Sequence, residues 1–194
     1  MNNTPDQKRC FWVPKDDPLY IAYHDHEWGI PAHDDRVLFE MLALQGIQAG
    51  LSWITILRKR EAYREAFDQF DIGKILVYDE DKIEQLMQNP GIIRNRMKIN
   101  AVINNARNFR DIQNEFGSFD CFLWKYVDGK PMRLVRTGVN DIPSRTELSD
   151  KISNDLKKRG FKFVGSTTIC AYMHAVGLVN GHADDCFCMK NQER

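Results

Sequence analysis

The chain of 194 residues is 43% hydrophobic, and its 27 lysine and arginine residues balance 27 aspartate and glutamate residues. This length predicts a single domain over residues 1–194, with residues 1–9 frayed, and the zero net charge means that nucleic-acid binding requires a local basic patch. The sequence has no run of about 18 apolar residues that would predict a membrane span and no signal-peptide core in residues 1–9, so a cytoplasmic protein is expected.

The first informative segment, residues 20–29, reads Tyr-Ile-Ala-Tyr-His-Asp-His-Glu-Trp-Gly. Its mixture of aromatic, histidine and carboxylate side chains is not typical of a hydrophobic strand or of an ordinary amphipathic helix. Aromatic faces beside histidine and aspartate suit a metal site or a pocket for a flat, cationic or heteroaromatic ligand. The alternative is a half-buried surface loop in which the polar ends of the side chains have hydrogen-bond partners.

Helices follow this segment through the first half of the chain. Apolar spacing predicts a helix from Asp34 or Asp35 towards Gly46, because either aspartate is a suitable N-cap. A tight loop is expected over residues 46–50, and a second helix over residues 53–67.

The middle of the chain is also predicted to be helical. Asp71 and Asp79 each start a short helix, and an apolar stripe at helical spacing predicts a longer one over residues 94–116. Residues 119–127 are interpreted as helical because no partner strand is evident, and residues 128–141 as an irregular loop. With no convincing strand anywhere, the sequence predicts an all-α protein.

Five cysteines form an odd and irregular set. A disulfide framework is not expected in a chain of this length without a secretion signal. Cys121 and Cys170 lie in apolar helical surroundings and are predicted to be inert core thiols. The other three, near the two ends of the chain, need another explanation.

Cysteine and histidine pairs at both ends of the chain suggest a metal site. His182 and Cys186 are spaced so that both can bind one ion, a second pair lies near the N-terminus, and four such ligands make a closed tetrahedral zinc site. The candidate ligands are Cys10, His24, His182 and Cys186. Such a site would hold the two termini together. Free thiols and a surface histidine are the alternative, and Cys188 and His26 are competing ligands.

Two further helices are predicted within residues 149–177, and a basic loop separates them. The first is capped near Ser149, and the second starts at Ser166 or Thr167. The glycines of the loop allow backbone N–H groups to approach a phosphate, and the following helix N-terminus adds a favourable dipole. Helix-hairpin-helix elements bind the DNA backbone in this way. The candidate contacts are Arg159, Gly160, Lys162 and Gly165. An ordinary helical connection with a solvated basic face is the alternative.

A second glycine-flanked loop precedes the helix predicted over residues 53–67. It contains Gly50 and Leu51 and leads into Trp53. Enzymes that act on a DNA base extrude that base into a pocket and fill the gap with an apolar side chain. Leu51 is a candidate for that side chain, and core packing is the alternative for both Leu51 and Trp53.

Four separated motifs in one order resemble the 3-methyladenine DNA glycosylase I family, the constitutive alkylation-repair glycosylases of bacteria. The motifs are Asp-Pro-Leu-Tyr-Ile-Ala-Tyr-His-Asp from Asp17, Gln-Ala-Gly-Leu-Ser-Trp-Ile-Thr from Gln48, Gly-Ile-Ile-Arg from Gly91, and Lys-Lys-Arg-Gly-Phe-Lys-Phe-Val-Gly from Lys157. The resemblance covers about residues 10–186. It implies a helix-hairpin-helix glycosylase fold in which a structural zinc site joins the N- and C-terminal segments.

The resemblance also implies a function and a set of site residues. The expected reaction is hydrolysis of the N-glycosidic bond of 3-methyladenine in double-stranded DNA, without lyase activity and with the free base as product. A monomer is expected. Tyr20, Tyr23 and Trp53 would form the base pocket, with Trp12 and Trp28 nearby. Leu51 would occupy the space left by the flipped nucleotide.

One position departs from the family pattern, which commonly has a glutamate where this chain has Gln45. An amide keeps one acceptor and gains donors but loses the negative charge. It can still bridge the amino group and N7 of adenine. We therefore expect an active but slowed glycosylase in which Gln45 reads the edge of the base. The alternatives are a protein that binds alkylated DNA without cleaving it and a zinc-containing module unrelated to DNA.

Overall fold

The computed structural model describes residues 7–134 and 142–192, which are mostly helical as predicted. The α-helices in this part of the chain are α1 (Pro18–His26), α2 (Asp35–Gln48), α3 (Trp53–Ala66), α4 (Ile72–Ile75), α5 (Glu80–Gln88), α6 (Arg96–Phe116), α7 (Phe119–Trp124), α8 (Glu147–Lys158), α9 (Ser166–Ala175) and α10 (Phe187–Gln192). Short 3-10 turns cover Asp68–Phe70 and Lys125–Val127. None of these helices is both long and apolar enough to cross a membrane.

Several helices begin at the residues that their capping chemistry predicts. The carboxylates of Asp34, Asp71 and Asp79 accept hydrogen bonds from the first turns of α2, α4 and α5. The apolar stripe of α6 is buried, and the helical interpretation of residues 119–127 is confirmed by α7 and its 3-10 extension. Parts of the predicted frayed terminus and irregular loop, residues 1–6 and 135–141, lie outside the described residues.

Three local predictions are wrong. The surface loop considered as the alternative for residues 20–29 is wrong, because Asp17 caps α1 and this helix carries the segment as far as His26. Helix α2 does not stop at Gly46 but continues to Gln48, since packing inside the core overrides the weak helix propensity of glycine. Helix α8 is capped by Thr146, and Ser149 completes the capping box as its third residue.

Two tertiary features also differ from expectation. The chain is not free of strands, because β1 (Met132–Arg133) and β2 (Val179–Asn180) form a short parallel pair. This pairing joins segments almost fifty residues apart, so no local pattern reveals it. Cys121 is exposed and is not a core thiol, whereas Cys170 is buried as predicted.

Helix α2 lies at the centre of the fold. It packs against α3, α6, α7 and α9, and every residue from 38 to 47 is buried. A helix that is surrounded on all sides needs no amphipathic pattern. This burial places Gln45 inside the protein, with only 5% of its surface exposed.

The end of α9 packs closely against the segment that follows α1. Gly177 has a φ of +69°, and a Cβ at this position would lie 2.3 Å from the carbonyl carbon of Ile30. Only glycine fits such a close approach. Backbone hydrogen bonds from Gly29 to His174 (2.9 Å) and from Ala32 to Val176 (3.0 Å) complete this junction, which brings Trp28 beside α9.

Candidate active site and metal centre

A cavity of about 290 Å³ opens between α1, α2, α3 and α9. It is lined by all six residues that the sequence assigned to base binding or catalysis. These residues are Trp12, Tyr20, Tyr23, Trp28, Gln45 and Trp53. The tertiary structure therefore brings together side chains from three separate parts of the sequence.

Helical geometry sets the aromatic walls of this cavity. Tyr20 and Tyr23 are three residues apart on α1, so they lie on one face of that helix. Trp53, the first residue of α3, lies against Tyr23 with their ring centroids 5.2 Å apart. Trp12 packs at a steep angle on Tyr20 (5.6 Å) and on Trp28 (4.8 Å). The result is a narrow space with aromatic faces, suited to a flat ring.

Unpartnered polar atoms are concentrated in the cavity residues. Within residues 7–134 and 142–192, four buried side-chain polar atoms lack a hydrogen-bond partner, and three of them are Trp12 Nε1, Trp53 Nε1 and Gln45 Oε1. Burial of a polar group without a partner costs about 1–3 kcal/mol, so such groups are rare unless a ligand satisfies them. The cavity thus offers two donors and one acceptor to a polar heterocycle.

The tyrosines of the cavity are neutral donors at physiological pH. Burial raises the pKa of Tyr23 far above its ordinary value, and burial also raises the pKa of Tyr20. Neither phenol can therefore serve as a general base near pH 7. The cavity offers aromatic faces for stacking and polar atoms for hydrogen bonds.

Five further residues line the cavity and were not predicted. They are Phe11, Gln48, Ile142, Ala171 and His174. Gln48 lies one turn after Gln45 on α2, a spacing that helical geometry would have revealed. His174 stacks on Trp28 with the ring centroids 5.8 Å apart, and its Nδ1 lies 3.2 Å from the carbonyl oxygen of Val179. It had no local signal because α9 meets Trp28 only in the tertiary structure.

The four predicted metal ligands converge at a buried site beside this cavity. Candidate donor atoms of Cys10, His24, His182 and Cys186 all lie within 4.8 Å of one another. Cys186 Sγ is 3.6 Å from His24 Nε2 and 3.6 Å from His182 Nδ1, and Cys10 Sγ is 3.6 Å from the same His182 nitrogen. Hydrogen bonds with neighbouring thiols, of which the one with Cys10 has the largest effect, lower the pKa of Cys186 and favour its thiolate form.

The other nitrogens of both histidines have fixed acceptors. His24 Nδ1 lies 2.7 Å from Asp25, whose carboxylate also accepts from Arg9, and His182 Nε2 lies 3.0 Å from the carbonyl oxygen of Trp28. This arrangement is typical of metal-binding histidines, because the outer hydrogen bond orients the ring and raises its basicity.

The competing ligands occupy different positions. His26 is exposed and belongs to neither of the His/Cys/Asp/Glu groups found in the described residues. Cys188 lies in a second group with His24 and Asp25, and its Sγ is 3.9 Å from the carbonyl oxygen of His24. The geometry favours Cys186 over Cys188 in the four-residue set.

Helices α8 and α9 flank the loop of residues 159–165, where the sequence predicts a DNA-binding hairpin. Gly160 has a φ of +86°, and Gly165 is the N-cap of α9. Lys162 is exposed at the turn. Arg159, in contrast, donates to Glu115 (2.6 Å) and Asp155 (3.2 Å), so its charge is neutralised within the protein.

The loop between α2 and α3 presents Leu51 to solvent with 38% of its surface exposed. Gly50 has a φ of +80°, and the Leu51 N–H donates to the Gln48 carbonyl oxygen at 2.7 Å. An exposed leucine at the tip of a tight turn, next to an aromatic cavity, has the placement expected of an inserting side chain.

Comparisons with known proteins agree with this geometry. The family model described as methyladenine glycosylase matches residues 12–189. DNA-3-methyladenine glycosylase 1 of Escherichia coli (strain K12) is 50% identical over 181 residues, covering 93% of this chain and 96% of that protein.

Solved structures give the same result. A crystal structure of 3-methyladenine DNA glycosylase I has a TM-score of 0.89 and 52% identity, covering 93% of this chain and 99% of that one. A Tyr-to-Phe variant of such an enzyme in complex with 3-methyladenine has a TM-score of 0.87 and 42% identity, covering 89% and 93% of the two chains. The chain therefore belongs to the methyladenine glycosylase family.

Proposed function

We propose that this protein is a DNA glycosylase that hydrolyses the N-glycosidic bond of 3-methyladenine in alkylated duplex DNA and releases the free base. The observation that carries the proposal is the aromatic cavity with three unpartnered polar atoms, in a chain that belongs to this family. Its relatives are named for this activity, and one is a complex with this base.

The chemistry of the substrate matches the neutral cavity. Alkylation at N3 gives the purine a positive charge, so the base leaves as a neutral molecule and needs no proton from the protein. Aromatic faces attract such a cation by about 2 kcal/mol or more when both are desolvated. Adenine presents an amino group as donor, which Gln45 Oε1 is available to accept. Water is the nucleophile, and no cavity residue of the described chain is a lysine that could form a Schiff base.

The two loops would supply the DNA contacts. Leu51 would fill the space left by the extruded base, while backbone N–H groups of the α8–α9 hairpin, with Lys162, would hold the phosphates. The side chains of Leu51 and Lys162 are both exposed on the protein surface. The monomeric state and cytoplasmic location expected from the sequence stay predictions.

We also propose that Cys10, His24, His182 and Cys186 bind a structural zinc ion. Sulfur at about 2.3 Å and nitrogen at about 2.0–2.1 Å from a tetrahedral ion lie roughly 3.5–3.6 Å apart, in agreement with the three sulfur–nitrogen distances of 3.6 Å in the structure. A closed set of four protein ligands leaves no position for substrate or water, so the ion would stabilise the fold and take no part in the reaction.

The decisive test of the function is to incubate the protein with methylated duplex DNA and to identify the released bases by chromatography. We expect 3-methyladenine to be released and the DNA strand to remain uncleaved. If the protein binds methylated duplex but releases no base, it is a damage-binding protein and the catalytic proposal is wrong. Binding that does not weaken as salt increases would contradict contact with DNA phosphates altogether.

A salt titration distinguishes the two basic residues of the hairpin. Lys162→Gln is expected to reduce the slope of log K against log salt by about 0.9, because one phosphate contact is lost. Arg159→Gln is expected to leave the slope unchanged and to lower stability, since its guanidinium is held by Glu115 and Asp155. Equal changes in slope for the two variants would show that Arg159 leaves its ion pairs to contact DNA.

A further inference from the structure

Lys98 connects α6 to the end of α2. It lies in the first turn of α6, and its Nζ donates to the carbonyl oxygens of Ile47 and Ala49, each at 2.7 Å. The last carbonyl groups of a helix have no donor within that helix. A cation at this end also interacts favourably with the helix dipole. Lys98 therefore holds the C-terminus of α2 immediately before the turn that carries Leu51.

The position of Lys98 is itself fixed. Asn95 caps α6, and its side chain accepts a hydrogen bond from the Lys98 backbone N–H at 3.1 Å. Further along the same helix, Asn105 donates to the carbonyl oxygen of Lys162 (2.9 Å) and accepts from its N–H (2.8 Å). One rigid helix thus supports both the Leu51 loop and the α8–α9 hairpin.

We propose that Lys98 is a positioning residue for base extrusion, holding the α2–α3 loop in the shape that inserts Leu51 into the DNA. This inference rests on the proposed glycosylase function and goes beyond it. Lys98 does not line the base cavity, so its effect on the reaction passes through the loop. Gly50 gives the loop a flexible centre, and the two hydrogen bonds from Lys98 restrain the residues that precede it. A loop ordered in advance avoids the entropy cost of ordering at each insertion.

The structure supplies a matched control at Lys59. Its Nζ donates to the carbonyl oxygens of Pro90 and Gly91, each at 3.1 Å. It makes the same kind of two-carbonyl contact, but between α3 and the segment before α6 instead of at the Leu51 loop. A loss of general stability should therefore affect Lys59→Met and Lys98→Met alike.

The test compares Lys98→Met, Lys59→Met and the unaltered full-length chain in two measurements. Amide hydrogen exchange is expected to accelerate at residues 49–51 in Lys98→Met only. Single-turnover release of 3-methyladenine from methylated duplex should fall about ten- to hundredfold in Lys98→Met, since a small displacement of a positioning group has effects of this size. Release from the same methylated strand without its complement should change much less, because an unpaired base is easily extruded.

Combining Lys98→Met with Leu51→Ala tests whether Lys98 acts through the inserting side chain of Leu51. The double variant is expected to be no slower on duplex than Leu51→Ala alone, because residues that act as a unit are not additive. Multiplicative losses, an equal loss on duplex and single strand, or unchanged exchange at residues 49–51 would each overturn the proposal. If the unaltered chain releases no base from either DNA, the glycosylase function fails, and the exchange measurement still decides whether Lys98 orders the loop.

Discussion

Replacing Cys186 with serine is expected to abolish zinc binding and to lower the free energy of unfolding by about 5 kcal/mol or more, since metal binding contributes directly to folding in structural zinc sites. Cys186 Sγ contacts both histidines of the cluster, so its loss would remove the centre of the donor set. Metal content by mass spectrometry and denaturant unfolding measure the two effects. A chelator should destabilise the unaltered chain by a similar amount.

The same variant should also weaken base binding. Cys10 directly precedes Phe11 and Trp12, which line the cavity, and the main chain of Trp28 contacts His182. Loss of the proposed ion would leave the N-terminal segment attached here by weaker contacts, such as the hydrogen bond from the Phe187 N–H to the Lys8 carbonyl oxygen (2.9 Å). We therefore expect a lower affinity for free 3-methyladenine as well as a lower melting temperature.

Two other cysteines provide controls. Cys121 is exposed, so Cys121→Ser should change stability by less than about 0.5 kcal/mol and leave the zinc content unchanged. Cys188→Ser should retain one zinc per chain even though this residue is buried. If instead Cys188→Ser loses the metal and Cys186→Ser retains it, the assignment of the fourth ligand is wrong.

Gln45→Leu is expected to reduce kcat/KM for 3-methyladenine release by roughly ten- to hundredfold. The change removes the only unpartnered acceptor among the buried cavity atoms of the described chain, and a hydrogen bond to a charged group contributes about 1.5–3 kcal/mol. The aromatic walls would remain. Single-turnover kinetics on methylated duplex measure the loss, and wild-type rates for Gln45→Leu would contradict base reading by this residue.

Gln45→Glu is the opposite change and should increase kcat/KM by about tenfold. A carboxylate about 4 Å from a cationic base at an effective dielectric near 20 gains roughly 4 kcal/mol. Desolvation at a site only 5% exposed offsets most of this gain. Because burial would raise the pKa of the new carboxyl, the increase should be present at high pH and vanish as pH falls through that pKa.

The unaltered protein should lack this pH dependence of the rate, and a comparison of the pH–rate profiles of the two proteins tests it. An increase that is the same at all pH values would contradict a role for the charge.

Structural features that depend on neighbouring residues were predictable from the sequence. Asp71 and Asp79 cap the helices that follow them because their carboxylates reach backbone N–H groups three residues away. The apolar stripe of α6 repeats every three or four residues, which is enough to predict a helix with one buried face. The four residues proposed as metal ligands were also named from the sequence, as two cysteine–histidine pairs with Cys188 and His26 as alternatives, and the structure brings those four side chains together.

Contacts between distant segments, in contrast, became evident from the three-dimensional fold. His174 lines the cavity because a positive-φ glycine lets α9 approach the chain after Trp28. The ion pair of Arg159 with Glu115 and the contacts of Lys98 with the end of α2 likewise join residues more than forty positions apart. Capping and periodicity arise from hydrogen bonds within one or two turns and can be read along the chain. Contacts between helices depend on how their surfaces pack in three dimensions, and that information is distributed over the whole sequence.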